Sequence, residues 1–301
     1  MNVLLTGANG LLGQKLIQLF LQKNTHQLLT TSSSSVKKFD FDVEYIQMDI
    51  CDVNKTTQIF NDFNPDVVIH TAAVTNVDEC QLNQKKCRLI NVNAVKTLIK
   101  LCEKHNSFLL HLSTDFIFDG STNNLSETNT ANPVNYYGKT KFKAEQLIIN
   151  SKLKWSIVRT ALLYGIVKNM SKSNIILWVK DNLSKNKKIR VVTDQLRTPT
   201  LVEDLAIGCY EIINNLHEGI FNIAGKDFLS PYQMAVHTAD FFELDKSLIE
   251  QVDSNTFKQS ATRPLLTGFI IEKAKQTFNY SPRSFDEGIQ ILAQQIKQNE
   301  V

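Results

Sequence analysis

The sequence predicts an α/β fold, a doubly wound parallel sheet with a smaller C-terminal lobe. Three observations predict it. The chain opens on an apolar run, residues 1–5, which meets Thr6-Gly7-Ala8-Asn9-Gly10-Leu11-Leu12-Gly13 at once. Strand-like and helix-like patterns then alternate through the first half. Asp66-Val67-Val68-Ile69-His70 is nearly all apolar, as a parallel strand covered on both faces requires. The 301 residues are enough for a large core and two lobes.

The elements follow in order. A first strand over 2–5 ends in glycines three apart, and an amphipathic helix over 11–21 continues from them. Gly7 permits the tight turn, Gly10 lets backbone approach a pyrophosphate, and Gly13 lets helix and strand pack closely. That order reads as a Rossmann-type dinucleotide site. Further strands are expected over 27–31, 44–48, 66–70, 108–112 and 155–159. A helix is expected over 83–104, where Ile90, Ala94, Leu98 and Cys102 form one buried stripe. The second half should hold helices over 172–183, 202–214, 231–242 and 284–297, with short strands over 188–192 and 219–223. Two units result: a dinucleotide-binding unit over 1–160 and a mainly substrate-binding unit over 161–301. Segments near 200–225 return to the first.

Composition narrows the function. Apolar content of 43% and charged content of 21% describe a soluble globular protein. A net charge of +3 is too small to imply nucleic acid, and the basic stretch over 185–190 reads as a solvated helix end. No apolar run is long enough to span a bilayer. The first strand leaves no room for a leader, so a cytoplasmic protein is expected. The five cysteines include no CxxC pair and read as reduced thiols, several in the core. The histidines lack metal-ligand spacing, no metal is expected, and His70 and His111 read as satisfied strand-end residues.

Ligands of open α/β sheets sit beyond the carboxyl ends of the strands. That rule selects the glycine turn, Thr71-Ala72-Ala73-Val74-Thr75, Ser113-Thr114-Asp115, Tyr137-Gly138-Lys139-Thr140-Lys141 and residues 159–165. Tyr137 and Lys141 are four apart and share a helix face. An ammonium beside a phenol should lower its pKa from near ~10. Thr114 can bond the same substrate oxygen. The three fit protonation of a carbonyl oxygen while hydride reaches its carbon. The second strand ends Thr31-Ser32-Ser33 with no acid at its tip. NADPH is therefore the favoured cofactor and NADH the alternative, with Lys37 and Lys38 close in sequence to a 2′-phosphate.

These residues resemble the extended short-chain dehydrogenase/reductase family over nearly the whole chain: segments 5–13, 71–80, 112–120, 132–145, 158–165, 194–205, 221–225 and 263–264. Within it they are most similar to reductases of nucleotide-linked 4-keto-6-deoxy-hexoses. The resemblance implies that Thr114, Tyr137 and Lys141 are the catalytic triad. It implies cofactor contacts from Gly7, Asn9, Gly10, Leu11, Leu12, Thr31, Ser32, Asp49, Ile50, Thr71, Ala72 and Ala73, as well as Tyr137 and Lys141. Substrate contacts are implied for Thr75, Asp115, Phe116, Arg197 and Arg263, the two arginines facing a diphosphate. Phe116 stands where related dehydratases carry a second acid. Leu162 stands where these reductases often have Trp, and Arg197 where a small residue is common. A nucleotide-sugar substrate and a homodimer are the implied partners. The same fold also serves as a non-catalytic NADP-binding regulatory subunit or sensor, which is the alternative reading.

Overall fold

The computed structural model describes residues 1–170 and 173–299. Six strands form in the first half: β1 (Asn2–Thr6), β2 (Gln27–Ser32), β3 (Glu44–Gln47), β4 (Val67–His70), β5 (Phe108–Thr114) and β6 (Trp155–Thr160). The helices between them are α1 (Leu11–Lys23), α2 (Val53–Phe63), α3 (Val77–Leu82), α4 (Gln84–Arg88), α5 (Ala94–His105) and α6 (Tyr136–Ile149). The second half adds β7 (Leu163–Tyr164), α7 (Ile175–Ser184), β8 (Ile189–Val192), β9 (Leu196–Arg197), β10 (Thr200–Leu201), α8 (Val202–Asn215) and β11 (Gly219–Asn222). It closes with α9 (Pro231–Phe241), β12 (Ile249–Val252), β13 (Leu266–Thr267), α10 (Glu272–Phe278) and α11 (Phe285–Asn299). Position 172, where a helix was expected to begin, lies outside the described residues.

The central sheet has seven strands in the order β11-β6-β5-β4-β1-β2-β3. Every neighbouring pair in it is parallel. The direction of winding reverses between β1 and β4, so a crevice opens at their carboxyl ends. Strand residues alternate between two cores. Val3 and Leu5 join the side chains of α1 and α8, whereas Leu4 joins those of α2, α5 and α6. The late segment contributes to this first assembly: α8 lies in the core beside α1, and β11 extends the sheet beyond β6. The rest of the second half forms two-stranded parallel pairs, β7 with β10, β8 with β12 and β9 with β13. Two small cores lie under α7, α9 and α11.

One expected element is interrupted. The helix anticipated over 83–104 is α4 and α5 joined by a π-turn at Leu89–Asn93. Ala94, Leu98 and Cys102 are buried as the stripe requires, but Ile90 is only half-buried. The wider turn carries Asn91 inward. Its amide donates to Val74 O at 3.0 Å and Thr140 Oγ1 at 3.2 Å, and its Oδ1 accepts from Val74 N at 2.9 Å. Polar bonds over-rule helical regularity here, as π-turns near functional sites commonly show.

Candidate active site

The glycine turn forms at the switch point. Gly7 has φ 76°, a left-handed conformation that favours glycine, and a side chain there would press on Thr71 Oγ1 and Ala72 N. Gly13 packs against the Gly7 carbonyl and the Ala8 backbone, leaving no room for a Cβ. Gly10 differs. It is exposed, extended, and a Cβ on it would meet only Gly7 O at 3.1 Å. Gly10 is also the N-cap of α1 and supplies no side-chain bond to the first turn. The amides there therefore remain available to an anion, in the positive field of the helix end. Leu12 is buried in the core, so its contribution to such a site is its backbone. A nicotinamide dinucleotide fits this cradle, with the small residues Thr71, Ala72 and Ala73 beside it.

A prediction arises directly. Gly10→Val should leave the melting temperature near that of wild type and weaken NADPH binding by at least about tenfold, roughly 1.4 kcal/mol. Gly13→Val should instead damage folding. Calorimetric titration showing wild-type affinity in Gly10→Val would place the phosphates elsewhere.

Asn9 ties the turn to the segment after β2. Its amide donates to Ser32 Oγ at 3.2 Å, Val36 O at 3.0 Å and Tyr45 OH at 3.2 Å, and its Oδ1 accepts from Lys38 N at 2.9 Å. Ser32 is half-buried at the mouth of this loop and Ser33 is exposed. Thr31 is a correction. It is fully buried, and its hydroxyl donates to Leu5 O at 3.2 Å, so the side chain is not free for a ribose. Lys37 also points away, its ammonium bonded to Phe41 O at 3.0 Å. After β3, Asp49 is exposed and accepts from Cys51 N at 2.9 Å, and Ile50 is buried.

Thr114, Tyr137 and Lys141 meet at the carboxyl end of β5. Asn135 caps α6 through Gly138 N at 2.8 Å and also donates to Thr262 O at 2.9 Å. Gly138 lets the helix start close against the Phe116 backbone. Further along α6, Glu145 and Arg159 of β6 form a buried two-point ion pair, Nε–Oε1 3.2 Å and Nη2–Oε2 2.7 Å. Thr114 lies near enough to the Tyr137 hydroxyl to favour its ionised form. The Tyr137 ring packs edge-on to Phe116, centroids 6.1 Å apart.

The electrostatics depart from expectation. Burial pushes the Tyr137 phenol well above its usual value, and Thr114 offsets this only in part. The lowering expected from Lys141 is not found, because the Lys141 ammonium points down to His111 Nε2 at 3.0 Å. Burial brings Lys141 itself down to about 8. His111 lies inside β5, not at a strand end, and its Nδ1 is buried with no hydrogen-bond partner. His70 does end β4, bonded through Nδ1 to Thr6 Oγ1 at 2.8 Å and stacked on His111. Desolvation holds both imidazoles neutral, well below their usual value. The arrangement keeps a protonated phenol beside an ammonium that titrates near neutrality.

The residues expected to hold substrate are brought near but are not equivalent. Asp115 is buried, accepts from Thr114 at 3.0 Å and Thr267 at 2.6 Å, and lies 3.6 Å from Arg197 Nε. Burial raises its pKa against the pull of Arg197. Arg197 is buried as well, and its guanidinium donates to the carbonyls of Leu196, Pro264 and Leu265 while lying over the Phe116 ring. The expected reach of Arg197 to a diphosphate is thus taken up by bracing Asp115 and the loop at 264–265. Arg263 pairs with Asp78 at 2.5 Å and stays partly exposed. Thr75 is exposed at the end of the small-residue segment. Leu162, exposed, has φ 36°, an outlier for a bulky residue. Sequence reasoning missed Asn91, Asn135 and Glu145, and it read His111 only as a satisfied strand-end residue. Asn135, three residues before Gly138, carried a readable cap signal; the others carried none.

Strand order, glycine cradle and the hydroxyl–phenol–ammonium group together define a dinucleotide-binding α/β protein with an oxidoreductase-type site. The chain belongs to the RmlD substrate binding domain family, whose description matches residues 1–298. It is 27% identical over 300 residues to dTDP-4-dehydrorhamnose reductase of Aggregatibacter actinomycetemcomitans, covering 95% of this chain and 96% of that one. It is 30% identical over 255 residues to methionine adenosyltransferase 2 subunit beta of Bos taurus, covering 83% and 75%. Among solved structures, a dTDP-4-dehydrorhamnose reductase from Clostridium acetobutylicum matches with TM-score 0.88 and 28% identity over 99% of this chain and 100% of that one. The fold also matches that of the Bacillus anthracis reductase in complex with NADP, with TM-score 0.85 at 24% identity over 97% and 98%.

Proposed function

We propose that this chain is an NADPH-dependent reductase of the 4-keto group of a nucleotide-linked deoxysugar, of the dTDP-4-dehydrorhamnose reductase kind, and a short-chain dehydrogenase/reductase of the extended type. The carrying observation is the meeting of Thr114, Tyr137 and Lys141 at the strand end beside the glycine cradle. Bound NADPH supplies the hydride. Thr114 orients the substrate carbonyl, and Tyr137 gives its proton to the carbonyl oxygen as the negative charge develops. Burial keeps the phenol protonated, and a charge brought beside it by cofactor or by Lys141 would have to lower its pKa for efficient proton transfer. To stabilise the phenolate formed, Lys141 would turn its ammonium from His111 Nε2 toward Tyr137. Asp115, held by Arg197 and Thr267, positions Thr114. Arg263 faces the substrate diphosphate, with Thr75 and Phe116 nearby.

We assign residues 1–160, with the segments near 200–225, to cofactor binding, and the remainder mainly to substrate binding. An open depression of about 260 Å³ in the second half has Trp178, Arg190 and Phe257 in its wall. No helix among the described residues is long and apolar enough to cross a membrane. We place the enzyme in the cytoplasm, as a homodimer.

The test is oxidation of NADPH by purified protein with dTDP-4-keto-6-deoxy-hexoses. Binding of NADPH without turnover on any 4-keto sugar nucleotide would favour a regulatory subunit, the reading that similarity to methionine adenosyltransferase 2 subunit beta supports. Cofactor choice is separately testable. NADPH should serve at least as well as NADH, because Asn9 holds the serine loop, with no acid in it, beside the turn. Ser32→Asp should shift preference toward NADH. A wild-type preference for NADH of about tenfold in kcat/KM, roughly 1.4 kcal/mol, would overturn the assignment of the 2′-phosphate to this loop.

A further inference from the structure

We propose that Cys80 and Cys87 form a redox modification site, a reversible disulfide that closes directly beneath Tyr137. Cys80 lies on α3 and Cys87 on α4, two short helices separated by Asn83 alone. Their sulfurs approach to 2.6 Å, about 0.5 Å beyond a disulfide bond. Both are buried in one cluster with Tyr137. The remaining cysteines, Cys51, Cys102 and Cys209, belong to other parts of the fold.

Cys87 is 1% exposed, so peroxide reaches it only when the α3–α4 segment opens, but polar groups surround its sulfur. Asn91 Nδ2 donates to its sulfur at 3.4 Å, and Thr140 Oγ1 lies at 3.5 Å. The neighbouring Cys80 thiol brings Cys87 down to about 7, with Thr140, the Lys141 charge and Asn91 adding to the effect against burial. Burial instead pushes Cys102 and Cys209 far up and Cys51 up to about 11. Cys87 is thus lowered where Cys51, Cys102 and Cys209 are raised.

The chemistry balances with hydrogen peroxide as oxidant. The Cys87 thiolate attacks one peroxide oxygen, the O–O bond breaks, and hydroxide leaves to take up a proton as water. The sulfur becomes a sulfenic acid. The Cys80 sulfur then attacks the Cys87 sulfur, the S–O bond breaks, and a second water leaves with the Cys80 proton. Two thiols and one peroxide become one disulfide and two waters. A dithiol reverses the outcome by exchange.

The bond would reach the site through Asn91. That amide joins Cys87 and Thr140 to Val74, at the end of the small-residue segment beside the cofactor cradle. Drawing Cys87 onto Cys80 takes it from Asn91 and Thr140, and disturbs the packing under the Tyr137 ring. Oxidation also removes an ionisable thiol beside Lys141.

Treating the full chain with hydrogen peroxide, then blocking remaining thiols and mapping peptides by mass spectrometry, tests the proposal. The expected result is a Cys80–Cys87 cross-linked peptide, three of five thiols remaining, and a loss of turnover that dithiothreitol restores. Cys87→Ser, and separately Cys80→Ala, should abolish both the cross-link and the dithiothreitol-reversible loss. A native protein that keeps all its thiols, or one cross-linked only after unfolding, would overturn the proposal. So would peroxide inactivation that persists unchanged in both variants. The cross-link is read without substrate, so a chain that reduces no sugar nucleotide would still show it.

Discussion

Tyr137→Phe is expected to reduce turnover by about 10²–10⁴-fold while leaving NADPH affinity nearly unchanged. The substitution removes one hydroxyl, near Thr114 in the fold, and leaves the ring that packs on Phe116, Cys80 and Cys87. In the proposed mechanism, removing the phenol removes the acid that meets the carbonyl oxygen. The glycine cradle is on another element and is untouched. Turnover within a few-fold of wild type would eliminate Tyr137 as the proton donor. Fold damage is separable, because even loss of a buried hydrogen bond costs only about 0.5–1.5 kcal/mol.

Lys141→Met should show opposite effects on activity and stability. Turnover should fall by roughly 10²–10⁴-fold under the proposed role of the ammonium in supporting the phenolate. NADPH affinity should fall too under the proposed cofactor contact of Lys141. The stability effect has a definite sign. Burial lowers the Lys141 pKa from 10.5 to about 8, so its charged form is less favourable in the fold than in the unfolded chain. Below pH 8 that disfavour is complete, roughly 3 kcal/mol, and it fades as pH rises from about 8 to 10.5. The methionine variant should therefore melt at a higher temperature than wild type at neutral pH. Wild-type kcat/KM should decline above about pH 8 as Lys141 loses its charge, and the variant should lack that limb. A variant that melts lower and keeps the limb would contradict both roles.

The alternation of strands and helices, the glycine turn and the Tyr137–Lys141 pair were legible because each rests on local geometry. Period-2 and period-3.6 burial patterns are written in consecutive residues, and a spacing of four places two side chains on one helix face whatever surrounds them. The break of the expected helix at residues 89–93 was not legible. It depends on what Asn91 finds across the chain, at Val74 and Thr140.

From the residues alone came the parallel α/β class, the switch-point location of the site, the threonine–tyrosine–lysine group and a second-strand tip without an acid. Only the tertiary structure decided how those groups are electrically set. It engaged the Thr31 hydroxyl with Leu5 O, spent the Arg197 guanidinium on carbonyls and Asp115, and aimed Lys141 at His111 rather than at the phenol. It also brought two cysteine sulfurs seven positions apart into contact beneath Tyr137. The physical reason is desolvation. A side chain's charge, reactivity and free hydrogen-bonding capacity depend on how far it is removed from water and on which distant groups share its burial site, and neither is encoded in local spacing.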